Sequence, residues 1–363
     1  MASVDHPYLH FPDRSFWSRS VSSRWNTRDL VAPHTPILRP TDRIMSAGSC
    51  FAANTVPFLE QAGYAYVRTE RLEETSSDRF GYGRYSAAYG NIYTARQLLQ
   101  LIRRTQDRFK PAEDRWHDGD AIIDPFRPGL PYPAESDAEF DVLTAAHLAR
   151  THEAVAAADV FMFTLGLTEA WISAVDGAVF PACPGTVAGT FDPHRHVFKN
   201  FNVAEVTQDL RELLYELRSI NLRLRVVLTV SPVPLVATAT DAHVVCATTY
   251  SKSVLRVACE EVSRSVADVL YFPAYEIVMG PQAPDYFEPD RRNVARAGVE
   301  AVIDALLAHS ALPATPKPAA SSRADDIDIG SVLSHTLAQS ECEEMMTDPH
   351  LVRHELGPET EKM

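Results

Sequence analysis

Between Arg43 and Leu306, short apolar runs alternate with segments whose apolar residues recur every three or four positions. The runs Ile44–Ala47, Ala158–Thr164, Arg225–Val230 and Val269–Phe272 are too short for helices and almost uninterrupted in apolar character. Strands buried on both faces read this way, and they belong to parallel sheets covered by helices. The intervening segments supply those helices. One carries Phe51, Phe58, Leu59 and Ala62 and stops at Gly63; a second places Leu98, Leu99 and Ile102 behind Thr94 and Gln97 at capping-box spacing. A third follows Asn202 and Glu205 with Val206, Leu210, Leu213, Leu214 and Leu217. A fourth is expected to open at Ser251, with Val254, Val257, Ala258 and Val262 on one side, and a last one carries Val299, Val302, Ile303 and Leu306. The pattern specifies an α/β domain built on a central parallel sheet.

The rest of the 363 residues arranges itself around that domain. Residues 1–35 read as an irregular N-terminal arm and 36–310 as the α/β domain. Within the domain, 71–93 is a long polar loop rich in glycine and tyrosine, and 107–140 reads as an irregular insertion. A Pro/Ala/Ser linker covers 311–330, and 331–363 is an acidic tail with a short helix expected at Val332–Met346. Lys and Arg total 34 against 48 Asp and Glu, a net charge of −14. Such a surface repels phosphate backbones and anionic lipid, which disfavours nucleic acid and membrane as partners. No apolar run is long enough to span a bilayer, and the first residues lack the basic region and apolar stretch of a signal peptide. Cys50, Cys183, Cys246, Cys259 and Cys342 form no CxxC pair and read as free thiols, so a cytoplasmic protein is expected.

Ligands of open parallel sheets gather beyond the carboxyl ends of the strands. Four segments fall there: Gly48-Ser49-Cys50, Gly166-Leu167-Thr168-Glu169, Ser231-Pro232 and Pro273-Ala274-Tyr275-Glu276. A serine between a strand and a helix sits where free N–H groups and the helix dipole favour a developing oxyanion. Ser49 is therefore a candidate nucleophile, with a simple N-cap as the alternative. Cys50 competes with it, since a thiol at a helix N-terminus is activated as a thiolate.

The string Ala47-Gly48-Ser49-Cys50-Phe51-Ala52 resembles the signature of the GSCFA family. Gly90-Asn91-Ile92-Tyr93-Thr94, Thr164–Trp171, Thr229–Val233, Ser251-Lys252-Ser253 and Tyr271–Glu276 resemble further stretches of that family in the same order. The family is similar to SGNH (GDSL-like) hydrolases. The resemblance implies a three-layer flavodoxin-like fold and serine-based acyl transfer on an ester. It implies Ser49 as the nucleophile, Gly90 as a backbone donor to the oxyanion with the Asn91 amide beside it, and Thr168 in place of the usual asparagine donor. Glu169 completes that substrate-binding block.

The fourth SGNH block, D-x-x-H, reads Asp290-Arg291-Arg292-Asn293 here. Asparagine does not hold a proton near neutral pH, so the base must come from elsewhere. Among the histidines, His243 is the first candidate, because it follows the Ser231 strand end with Asp241 nearby. His194 and His196 form an H-x-H pair that suits metal or a substrate contact, and without a third ligand the substrate or loop reading is favoured. Glu276 either orients a base or pairs with one of the Arg291-Arg292 guanidinium groups, and Lys252 is either solvated or faces an anionic group. Gly81-Tyr82-Gly83-Arg84 follows no strand and lacks a Walker lysine, so it signals no nucleotide. The expected activity is that of an esterase working through a Ser49 acyl-enzyme. The alternatives are an O-acyltransferase, with acyl-CoA as a candidate donor and a sugar hydroxyl as acceptor, and a non-catalytic module binding a glycan or acyl ligand. A small-molecule or glycan ester is the expected partner, with no metal or organic cofactor; the oligomeric state is not set by the sequence.

Overall fold

The computed structural model describes residues 6–32, 36–71, 83–130 and 133–314. The expected tail helix, most of the linker, Cys342 and the start of the Gly81–Arg84 pattern lie outside these residues.

Five strands form one parallel sheet: β1 (Arg43–Gly48), β2 (Ala65–Tyr66), then β5 (Val160–Leu165), β9 (Arg225–Val230) and β10 (Val269–Tyr271). Their spatial order is β10-β9-β5-β1-β2. Counted within the sheet this is 2-1-3-4-5, the flavodoxin-like order, whose switch point lies between β1 and β5. Ile44 stands opposite Val160 and Gly48 opposite Thr164, so the two strands end side by side.

Side chains alternate between the two faces, as strand geometry requires. Ile44, Val160, Met162 and Val227 pack on one side with α1 (Cys50–Gln61) and the last helix, α7 (Arg296–Ala308). A short helix, α6 (Ala274–Met279), joins them through Ile277. Met45, Ala47, Phe161, Phe163, Val226 and Leu228 face the other layer. That layer is built from α2 (Ala95–Arg104), α3 (Asp137–Ala157), α4 (Val203–Ile220) and α5 (Val244–Ser265). Each fully buried Leu, Ile or Phe contributes about 1.5–3 kcal/mol, so both layers are needed to hold a sheet this apolar. The expected strands and the helices α1, α2, α4 and α7 are all present. Asn202 caps α4 with a complete capping box closed by Glu205. At α2, Thr94 accepts from the Gln97 N–H as expected, but the Gln97 side chain reaches one residue further back, to the N–H of Tyr93.

Three segments differ from the sequence reading. The region 107–140 is not wholly irregular: it holds the hairpin β3 (Trp116–Asp118) and β4 (Ala121–Ile123) and the first turn of α3. The buried side of α3 is Phe140, His147, Thr151, Ala154 and Val155, too small and polar to give an apolar stripe in sequence. Helix α5 begins at Val244 and not at Ser251, because its first turns are exposed and carry no periodic signal; Val245 is 63% exposed. Finally, β6 (Glu169–Ser173), β7 (Val179–Phe180) and β8 (His196–Asn200) form a separate antiparallel sheet, ordered β7-β6-β8, directly after β5.

Beside the main sheet, a buried polar cluster holds the loop that leads into α2. Glu70 accepts from the Ala88 N–H at 2.8 Å and contacts His147 Nδ1 at 2.7 Å. Arg127 pairs with Asp124 and donates to the Ala88 carbonyl. Burial, reinforced by the Arg127 charge, holds His147 below its ordinary value of 6.5. Burial opposes ionisation of Glu70, but the His147 hydrogen bond and the Arg127 charge outweigh it and keep the carboxyl below 4.5. A neutral native histidine binds fewer protons than an unfolded one below pH 6.5, so stability falls as pH drops through that value. The Glu70 contribution persists above its unfolded value and is lost further down, as pH falls through its depressed native one. The urea midpoint is therefore expected to decline between pH 7.5 and 5.5, and a His147→Gln variant to flatten that part of the curve.

Candidate active site

At the end of β1 the chain turns sharply into α1. Gly48 adopts φ +150, and a Cβ placed there meets the Thr164 carbonyl oxygen at 2.6 Å. Only glycine lets β1 end this close to β5 and still deliver the next residue to the switch point. That residue, Ser49, occupies the N-cap of α1 in an extended conformation, yet its side chain makes no capping hydrogen bond. Ser49 is 4% exposed, and its Oγ has no hydrogen-bond partner among the described residues. The hydroxyls of Thr151 and Thr229 are buried in the same way, a standing energetic cost; what sets Ser49 apart is its place at a strand end and at a helix N-terminus that it does not cap.

Ser49 lines a cavity of about 10 Å³ together with Cys50, Tyr93, Gly166, Ser231 and Lys252. That volume holds on the order of one water. Three of the four strand-end segments meet there; the fourth, after β10, does not. The segment 90–94 acts as a strap across the switch point. Ile92 N–H donates to the Gly48 carbonyl at 2.9 Å, and the Tyr93 carbonyl accepts from Gly166 N–H at 2.9 Å. The strap thus ties the ends of β1 and β5 together. Gln97 braces it from α2, with its amide donating to the Asn91 carbonyl.

On the opposite side, α5 grips the end of β5. Thr168 N–H donates to Ser251 Oγ at 2.9 Å, and Lys252 Nζ donates to the Gly166 carbonyl. Lys252 is 2% exposed and projects into the interior at the Ser49 cavity. The string Ser251-Lys252-Ser253, expected at a helix start, is instead a mid-helix clamp on the third strand end. Sequence reasoning gave Tyr93 no role beyond its motif string and weighed Lys252 only as solvated or facing an anionic group; it placed neither at the nucleophile.

The other sequence candidates are distributed as follows. Cys50 is buried beside Ser49 as the first residue of α1. Gly90, at φ +66, and Asn91 sit on the strap, and Asn91 Oδ1 accepts from the Tyr85 hydroxyl at 2.6 Å. Neither lines the Ser49 cavity. Thr168 is fully buried, and its hydroxyl donates to Asn200 Oδ1 at 2.7 Å, so that proton is already committed. His243 is exposed and caps α5, its Nδ1 accepting from Val245 N–H at 3.2 Å. Among the described residues, no histidine lines the cavity.

Asp290 and Asn293 bond to each other in an exposed turn before α7, Asn293 Nδ2 donating to Asp290 Oδ2 at 2.6 Å. Glu276 pairs with Arg256 at 2.7 Å and accepts from Tyr271, so its partner is not the Arg291-Arg292 pair. His196 is buried in β8 against Phe180 and Glu113, while His194 stays in the preceding turn, so the two rings do not form a matched pair along one strand. Glu169 lies beyond the cavity, in a larger apolar chamber that shares Tyr93, Leu167 and Leu235 with it.

The fold and site define a flavodoxin-like α/β domain that presents a buried serine at its topological switch point. The profile of the GSCFA family matches residues 43–306, and the chain belongs to that family. No curated protein matches it. Solved structures resemble it remotely. A protein from Streptococcus pneumonia described as a platelet activating factor shares 11% identity, with 78% of this chain and 88% of that one covered at a TM-score of 0.34. A serine-to-alanine variant of an acetyl esterase with acetate ion shares 11% over 73% and 93%, at 0.30. A carbohydrate esterase family 3 protein from Talaromyces cellulolyticus shares 11% over 73% and 94%, at 0.27. These likenesses are too remote to bear on the chemistry of the site. Among the described residues no helix is long and apolar enough to cross a membrane.

Proposed function

We propose that this protein is an ester hydrolase that works through a Ser49 acyl-enzyme. The observation that carries the reading is the buried, unpartnered Oγ of Ser49 at a helix N-terminus that it does not cap. Ser49 Oγ attacks the ester carbonyl carbon, and the oxyanion forms against the first turn of α1, where helix N–H groups lack intrahelical acceptors. The serine proton passes to the amine form of Lys252, directly or through one water. What supports Lys252 in this role is that it lines the Ser49 cavity and is buried from solvent. Collapse of the tetrahedral intermediate breaks the ester C–O bond, and the departing alkoxide takes the proton from Lys252. Water then attacks the acyl-Ser49 ester, gives its proton to Lys252, and releases the carboxylic acid as Ser49 recovers its hydrogen. A cytoplasmic location belongs to the same reading, supported by Cys183, Cys246 and Cys259 as free thiols.

Intact-mass analysis after exposure to p-nitrophenyl acetate, with peptide mapping, tests the assignment. One acetyl group on Ser49 is expected. An adduct on Cys50 instead would move the chemistry to the thiol, and no adduct at all would favour a binding module. Lys252→Met is expected to slow adduct formation about 10²–10⁴-fold, the usual worth of a general base. Added methylamine should restore part of that rate, which a purely structural lysine would not allow. His243→Ala and Asn293→Ala are expected to acylate within about twofold of wild type, since neither lines the cavity.

A further inference from the structure

We infer that the apolar chamber beside the Ser49 cavity binds the acyl portion of the ester, and that this portion is an uncharged hydrocarbon chain and not a sugar. The inference rests on the ester-hydrolase reading for its orientation, but the chamber itself is independent of it. Its volume is about 270 Å³, against about 10 Å³ at Ser49. Tyr93, Leu167 and Leu235 line both spaces, so the chamber adjoins the position of Ser49. The Ser49 cavity holds about one water, whereas the chamber is large enough for a chain of several carbons.

The chemistry of the walls selects the occupant. Leu167, Trp171, Phe180 and Phe198 present hydrocarbon. Several of the polar side chains among them are already engaged within the protein. Glu169 accepts from Thr238 Oγ1 at 2.7 Å and from Ala239 N–H at 3.2 Å. Thr186 donates to the Cys183 carbonyl at 2.7 Å, and both ends of the Gln97 amide are used by the strap. Burial raises Cys183 to about 11, so it presents a neutral thiol. Sugar hydroxyls entering this space lose water and find few free partners, which is costly. A hydrocarbon loses nothing of that kind and gains about fourfold in affinity for each methylene buried. The Glu169 carboxylate adds a bias against anions such as a free fatty acid.

The test separates the chamber from the chemistry. Ser49→Ala protein, which leaves esters intact, is titrated calorimetrically with ethyl acetate, ethyl butyrate and ethyl hexanoate. Affinity is expected to rise about fourfold per methylene up to the capacity of the chamber, and sodium hexanoate to bind more weakly than its ester. Ala182→Leu in that background should erase the gain for hexanoate while sparing acetate; Ala237→Phe, at the chamber mouth, serves if the first variant folds poorly. Wild-type acylation with the matching p-nitrophenyl esters supplies the second arm. Affinity that does not change with chain length, or an acetylated carbohydrate binding better than ethyl hexanoate, overturns the inference even if Ser49 acylates. Length-dependent binding without any Ser49 adduct upholds the chamber and overturns the hydrolase reading alone.

Discussion

Ser49→Ala is expected to lower ester turnover about 10⁴–10⁶-fold, the scale on which nucleophile removal acts in serine hydrolases. It should leave the protein as stable as before or more stable by roughly 1 kcal/mol. The two halves belong together. A serine that caps a helix contributes about 0.5–2 kcal/mol, which alanine would forfeit. Here that hydrogen bond is absent, and the hydroxyl is buried without a partner. Alanine therefore removes a desolvated polar atom and little else, the signature of a residue retained at the expense of stability. Parallel urea melts and acylation assays check it. A loss of more than about 1 kcal/mol with activity intact would make Ser49 an ordinary cap.

Gly48→Ala carries the largest expected effect on folding. The new methyl lies 2.6 Å from the Thr164 carbonyl oxygen and 2.8 Å from Thr164 Cβ, at a φ of +150 that side chains avoid. Thr164 belongs to β5, paired on both sides by β1 and β9, and cannot give way without breaking sheet register. Backbone strain of about 1–3 kcal/mol adds to overpacking of about 1–3 kcal/mol, so a loss of about 2–6 kcal/mol is expected in urea unfolding. Gly177→Ala separates the two contributions, because Gly177 has φ +71 but meets nothing within 4 Å. It should show the strain alone. Equal losses at the two positions would mean that β1 and β5 can part at their ends, and the tight switch point would not be what places Ser49.

Much of this protein is readable from local pattern. Strands such as Val160–Phe163 are apolar at every position because both faces are covered, and Asn202 with Glu205 marks a helix start by chemistry within four residues. Ser49 could be singled out for the same local reason: a strand end, a glycine and a helix start are contiguous in the chain. Helix α3 escaped because a helix packed through alanine and threonine leaves no apolar stripe, and the exposed first turns of α5 left no stripe either.

The surroundings of Ser49 were not local. Lys252 and Ser49 are 203 positions apart and meet only because the sheet order lays β5 beside β1 and α5 closes over the end of β5. His243 looked close to the site because it follows a strand end, but α5 begins directly after it and employs its ring as a cap. Sequence thus determined which residues form strands and helices and which serine stands at a strand end, since those depend on neighbours along the chain. Tertiary structure alone decided which hydroxyls are already bonded, which lysine is sealed beside Ser49, and what walls the adjoining chamber. Those depend on burial and hydrogen-bond satisfaction, which arise only when distant segments exclude water from the same place.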